Sequence, residues 1–204
     1  MNAYAPLHAS APMYPVTLPR IPDPVITQLG FAAPALELMT DFRRTPAISV
    51  HAATPIDDAL KQMIYAGVRF LFVVDDGFAV LGAVTSYDIH SEKPMLYLQS
   101  RDCRIGTCTR DDVQVQDIMT PVRTWRTLRY RDLAGATLGD IVWTFNALGA
   151  RHLIVLDAVT AQGVQHVRGL FSASVVERAL GIRLETREEA AASFAEIEHE
   201  LVRD

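Results

Sequence analysis

Cysteine is scarce in this sequence: Cys103 and Cys108 are the only two in 204 residues. Two thiols make no disulfide framework and point to a reducing compartment. Spaced C-x4-C, they also lack the companion Cys or His pair that zinc needs. Long apolar runs are missing. Those present, such as Phe70 to Val74, are strand-sized, whereas a membrane span needs about 18 residues. The chain opens without the basic start and apolar stretch of a secretory signal, so a cytoplasmic protein away from the membrane is expected. Positive charge is not in excess. A net charge of −5 argues against a general electrostatic grip on nucleic acid or anionic lipid. Absent too are the Gly-x4-Gly-Lys phosphate loop, the Gly-x-Ser-x-Gly elbow and the His-Glu-x2-His pair. His51, His90, His152, His166 and His199 stand singly, and no metal site is read from them. Nothing here argues for an enzyme or an obligatory cofactor.

What is present is a core. Half of the residues are apolar and 21% are charged, a balance that excludes global disorder. Composition is uneven along the chain. Seven of the eleven prolines (Pro6, Pro12, Pro15, Pro19, Pro22, Pro24 and Pro34) fall within residues 1–35. Proline fixes φ and lacks a backbone donor, so this arm is expected to be extended or irregular. Its apolar Tyr4, Tyr14, Val16, Leu18 and Ile21 suit an arm lying along a surface. At the other end, residues 183–204 hold seven acids against three arginines. There Ala190, Phe194, Ile197 and Leu201 make one stripe of an amphipathic helix, either a cap on its own domain or an oligomer contact.

The middle repeats itself. Leu38-Met39-Thr40 returns as Ile118-Met119-Thr120, Gly67-Val68-Arg69 as Gly149-Ala150-Arg151, Asp75 as Asp157, and Gly82-Ala83-Val84-Thr85 as Gly169-Leu170-Phe171-Ser172. The anchors keep their order while the offset grows, as two copies with loop insertions would produce. In the first copy Thr54-Pro55 reads as an N-cap followed by proline in the first turn. Ile56, Ala59, Leu60, Met63 and Ile64 form one helical face, which Gly67 ends. Phe70 to Val74 reads as a strand covered on both faces, Asp75-Asp76-Gly77 as a turn, and Ala79 to Thr85 as the return strand. The second copy follows suit with Leu138, Ile141, Val142 and Phe145, then Leu153 to Leu156, Val167 to Ser172, and a helix from Ser174 to Leu180. With a short lead-in strand near Ile48 to Val50, each unit is strand, helix, strand, strand, helix. A unit of about 60 residues buries little surface alone, so the two should pack together.

These residues resemble the CBS-domain pair, or Bateman module. The likeness rests on Met39-Thr40 and Met119-Thr120, on the Gly-x-Arg step before an apolar strand ending in Asp, and on Gly82, Thr85 and Asp88 as Gly-x-x-Thr-x-x-Asp, and it covers residues 36–182. It implies an α+β fold of tandem CBS domains, two β-α-β-β-α repeats packed on each other. The expected domains are a Pro-rich arm (1–35), a first CBS domain (36–100), a linker (101–115), a second CBS domain (116–182) and a C-terminal helix (183–204). It also implies a regulatory module that binds an adenosine-containing ligand such as AMP, ADP, ATP or S-adenosylmethionine in a cleft. Homodimers and an effector protein acted on in trans belong to the same expectation.

Residue by residue, Asp88 is placed to accept the cis hydroxyls of a ribose at a helix start that favours its charge. Thr85 can offer a hydroxyl to the same sugar or to a phosphate. Equally, Asp88 can simply cap its helix. The resemblance assigns the adenine slot to Thr45, Ala47, Ile48 and Val68. Arg69 is either a phosphate contact or a surface cation near Asp75 or Asp76. In the second copy Ser172 matches Thr85, but Val175 stands where the carboxylate belongs. Valine accepts no hydroxyl bond, and an unpaired buried hydroxyl costs about 1–3 kcal/mol, so one competent site per chain is expected. Arg123, Arg126, Arg129 and Arg131 surround Trp125 and Tyr130. That stretch admits three readings: a strand whose arginines pair with nearby acids or with a partner chain, a small ligand's phosphates, or single-stranded nucleic acid. A module that has lost its ligand and only oligomerises is the competing class.

Overall fold

The computed structural model describes residues 29–100 and 109–184. The Pro-rich stretch through residue 28, both cysteines and the acidic stripe beyond residue 184 lie outside the described residues.

In the first unit, β2 (Ser49–His51) leads into α1 (Ile56–Ala66), β3 (Phe70–Val74) and β4 (Val80–Thr85), followed by the short α2 (Ser86–His90) and α3 (Lys93–Ser100). The expected face of α1 is buried at Ile56, Ala59 and Met63, while Ile64 is 72% exposed. At 100° per residue Ile64 falls past the shoulder of the stripe centred on Ile56 and Met63, which explains the difference. Gly67 closes the helix in the left-handed region, φ 66, as Gly149 does for the matching helix of the second unit, φ 58. One expectation is corrected at the other end. Thr54 is not the N-cap; Pro55 is, and it offers no side-chain cap. The amide of Ile56 instead donates to the carbonyl of Val113, 3.1 Å away, so a segment 57 residues downstream satisfies a donor that the helix itself cannot.

The second unit repeats the order: β6 (Thr127–Arg129), α5 (Leu138–Leu148), β7 (His152–Leu156), β8 (Val167–Ser172) and α6 (Ala173–Leu180). Thr137 caps α5, exchanging hydrogen bonds with Asp140. Each unit has its own core. Val50, Ile56, Met63, Leu71, Val73 and Val84 are among the residues filling the first; Ile141, Phe145, Leu153, Val155 and Phe171 are among those filling the second.

The segments before the units are exchanged. β1 (Thr40–Asp41) pairs with β8, and β5 (Thr120–Pro121) pairs with β4, giving two four-stranded sheets ordered β2-β3-β4-β5 and β1-β8-β7-β6. Between α3 and β5 the short α4 (Val115–Ile118) completes the first core with Val115 and Ile118, while Ala35 completes the second. The anchors found as repeats in sequence therefore meet crosswise. An added Cβ at Gly82 would stand 2.6 Å from the carbonyl oxygen of Thr120 and 3.0 Å from the sulfur of Met119. At Gly169 the same atom would stand 2.6 Å from the Thr40 carbonyl and 2.9 Å from the Met39 sulfur. Glycine is required at both places because another strand crosses there.

Alternation along β3 sends Leu71 and Val73 into the first core, yet Phe72 and Val74 are also buried. They face the second unit. Phe70 packs against His152 with the rings tilted by 48° and their centroids 4.8 Å apart, and Phe72 meets Phe42 at 5.5 Å and Trp125 at 6.1 Å. The strand is covered on both faces, and the two units pack on each other through their sheets.

Candidate functional site

Topology gathers the expected ligand residues at one edge of the first sheet. β2 and β3 run parallel and β4 antiparallel, with Phe70 opposite Thr85. The starts of β2 and β3 and the end of β4 therefore share an edge. Thr45, Ala47 and Ile48 precede β2, Val68 and Arg69 precede β3, and Thr85 to Asp88 follow from β4 into α2. Two backbone bonds fasten the edge: Phe72 N–H to the Ile48 carbonyl and Ser86 N–H to the Arg69 carbonyl, each 3.0 Å. Ser172 sits at the matching edge of the second sheet, opposite His152.

Asp88 is 6% exposed and, with Arg168, one of two buried charged residues among those described. Its Oδ2 accepts from the Thr85 backbone amide at 2.8 Å and from Thr85 Oγ1 at 2.6 Å, while its own amide donates to Thr85 Oγ1 at 3.1 Å. This reciprocal cap satisfies donors that α2 would leave open. The other oxygen, Oδ1, takes the ammonium of Lys93 at the start of α3. Lys93 stood outside the sequence reading: its only signal was a cation five residues past an acid.

The Asp88 charge is felt across the seam. His152 is held down to about 4 by burial and by neighbouring Arg151, with Asp88 pulling the other way. Arg69 is exposed and forms no ion pair with Asp75 or Asp76 among the described residues. Asp75 instead takes the amides of Gly77 and Ala79 in the turn.

The second edge has the same frame and different chemistry. Ala173 N–H bonds the Arg151 carbonyl at 2.9 Å, repeating the Ser86–Arg69 bond, but Ser172 makes no cap. Its hydroxyl meets Ser174 Oγ at 3.0 Å, and half-buried Val175 holds the place of Asp88. Strand register puts Arg123, Trp125 and Arg126 where the first unit has Thr45, Ala47 and Ile48. Of the arginine stretch, Arg129 and Arg131 pair with Asp132 at 2.7 and 3.5 Å, and the Trp125 indole donates to the Thr120 carbonyl at 3.2 Å. Two open hollows lie near these edges. One of about 450 Å³ has Lys93, Tyr97 and Asp117 on its wall; the other, about 470 Å³, has Arg151, Ser174 and Arg178. Neither is lined by Thr85 or Asp88.

Among the described residues no group of His, Cys, Asp and Glu is arranged to hold a metal, and no helix is long and apolar enough to cross a membrane.

Residues 36–93 match the family model of the CBS domain. Among curated proteins none matches the chain. Similar solved structures include CBSX2 in complex with AMP, 23% identical, covering 72% of this chain and 95% of that one, with a TM-score of 0.47. The CBS-pair protein CBSX2 from Arabidopsis thaliana is 24% identical over 74% of this chain and 94% of that one, TM-score 0.45. An uncharacterized conserved protein from Pyrococcus horikoshii is 23% identical over 78% and 99%, TM-score 0.49. Residues 36–93 are thus similar to a CBS domain, and a second unit of the same strand and helix order follows them.

Proposed function

We propose that the chain is a regulatory module without chemistry of its own, which binds an adenosine-containing ligand of the AMP, ADP, ATP or S-adenosylmethionine class at the first-unit edge. The observation that carries this reading is the pairing of buried Asp88 with half-buried Thr85, a carboxylate and a hydroxyl fixed together at a helix start beside the seam between the units. Ribose hydroxyls would take the Oδ1 position that Lys93 now holds. Lys93, with 43% of its side chain exposed, is free to turn toward the ligand's phosphate. Thr45, Ala47, Ile48 and Val68 would flank the base and Arg69 would reach for phosphate. Ser172 stands beside Val175 and so lacks the carboxylate needed for a second sugar. As a homodimer in the cytoplasm, such a module would act on a separate effector protein by favouring one of two states through differential affinity.

A second reading has an observation of its own. Both Asp88 oxygens already accept bonds within the chain, Oδ2 from Thr85 and Oδ1 from Lys93, as they would in a scaffold that only oligomerises. Nucleic acid is the weakest reading, since two of the four arginines are paired with Asp132 and the net charge is −5.

A thermal-shift screen with AMP, ADP, ATP and S-adenosylmethionine separates the classes, because a ligand bound only by the folded state raises the melting temperature. The expected result is a rise with at least one of them that disappears in Asp88→Ala. That variant should also lose about 1 kcal/mol from its cap. A folded protein that shifts with none of them at millimolar concentration is the scaffold.

A further inference from the structure

Arg168 is a charge in an apolar strand. It lies on β8, is 8% exposed, and occupies the place where the first unit carries Leu81. Its guanidinium forks Asp41, Nε to Oδ1 at 3.0 Å and Nη2 to Oδ2 at 2.8 Å. It also lies 4.0 Å over the ring of Tyr130 and 3.7 Å from Asp157. Two parallel bonds to one carboxylate fix orientation as well as distance. The Asp41 carboxyl is held down to about 2, first by this bond and next by the amide of Arg43.

Asp41 passes the constraint along the chain. Its Oδ1 accepts the Arg43 amide at 2.9 Å, and its carbonyl accepts the amides of Arg44 and Thr45, each at 2.9 Å. Phe42 N–H bonds the Arg168 carbonyl at 3.0 Å, and Arg43 adds a clamp to Asp157 at 2.9 Å. The turn from 41 to 45 is thus tied to the second unit. The next fixed point is the Ile48 carbonyl on β3 of the first unit. Thr45 to Ile48, the expected base-flanking segment, spans the gap between the two anchors.

We propose that Arg168 is a positioning residue for the first-unit ligand site: through Asp41 it holds Thr45 to Ile48 in the binding geometry, so affinity at one unit depends on a half-buried ion pair with the other. The ligand half of this inference rests on the function proposed above. A site whose competent conformation is only partly populated binds more weakly by that fraction.

The test uses two variants and two measurements. Arg168→Leu installs the first unit's residue. Because an unpaired carboxylate can endanger folding, Arg168→Lys, which keeps the charge and loses the fork, is measured beside it. Hydrogen exchange should show the Thr45 amide exchanging at least tenfold faster in both variants, with the amides of α1 and β3 unchanged. Affinity for AMP, titrated well below each melting temperature, should fall about tenfold in Arg168→Leu and by less in Arg168→Lys. Unchanged exchange at Thr45 overturns the positioning role. Unchanged affinity with faster exchange overturns the coupling to the site. A parent protein that binds no AMP removes the ligand half together with the function proposed for the site, and exchange still decides whether Arg168 holds the segment.

Discussion

Alanine at Gly169 is expected to destabilise the protein by about 1–3 kcal/mol, the usual cost of forcing a methyl group into a filled space. The new Cβ would stand 2.6 Å from the Thr40 carbonyl oxygen and 2.9 Å from the Met39 sulfur. The thioether can rotate away; the carbonyl belongs to β1, whose pairing with β8 would have to open. For a chain of this size each kcal/mol lowers the melting temperature by roughly 2–4 °C. Gly82→Ala should behave alike, since it meets Thr120 at 2.6 Å and Met119 at 3.0 Å. Gly135→Ala is the control, because nothing lies within 4 Å of its added Cβ, and it should stay within about 0.5 kcal/mol of the parent. Urea unfolding of the three variants measures this. If Gly169→Ala is as stable as Gly135→Ala, the strand exchange is wrong.

Acid should weaken the seam between the units through His152, and Phe in its place should remove the effect. Unfolded, this imidazole titrates near its ordinary 6.5; folded, burial and Arg151 hold it down to about 4. Between those values the unfolded chain binds the extra proton. Stability therefore falls as pH is lowered from 6.5 toward 4, by at most about 1.4 kcal/mol per pH unit for one group, and levels off below. Asp41 acts in a different window. Its folded value of about 2 lies below the ordinary 3.8, so its contribution is present above 3.8 and is lost as pH falls through 2. Denaturation midpoints at pH 7.5, 6 and 5 should decline in the parent and stay nearly level in His152→Phe, which keeps a ring against Phe70. Parallel declines in both proteins would place the titrating group elsewhere.

Much of this molecule could be read from residue spacing. Ile56, Ala59 and Met63 mark the buried helix face, Gly67 and Gly149 mark its end, and the matched Gly-x-Arg and Gly-x-x-Thr-x-x-Asp steps locate β3, β4 and the capped start of α2. Those signals are local, repeating within a turn or a hairpin. What stayed hidden is what joins distant segments. Asp41 and Arg168 are 127 residues apart, and no periodicity links them, although a lone arginine in an apolar strand was a cue. The crossing of Met39-Thr40 over Gly169 and of Met119-Thr120 over Gly82 was present only as parallel anchors, without a sign that each met the other's partner. Thr54-Pro55 looked like a cap because the pattern is common; the structure supplies the donor's partner from Val113 instead. At the site, Thr85 and Asp88 were legible as a pair, whereas Lys93 was not, since its contact with Asp88 depends on the turn at Ser91 that carries the chain from α2 into α3.

The proposed function calls for one adenosyl site per chain, built on Asp88 and missing its counterpart at Val175. Calorimetric titration of the purified protein with the nucleotide that gives the largest thermal shift measures affinity and stoichiometry together. One ligand per chain is expected, and none in Asp88→Ala. Two ligands per chain, or binding that survives Asp88→Ala unchanged, would contradict it.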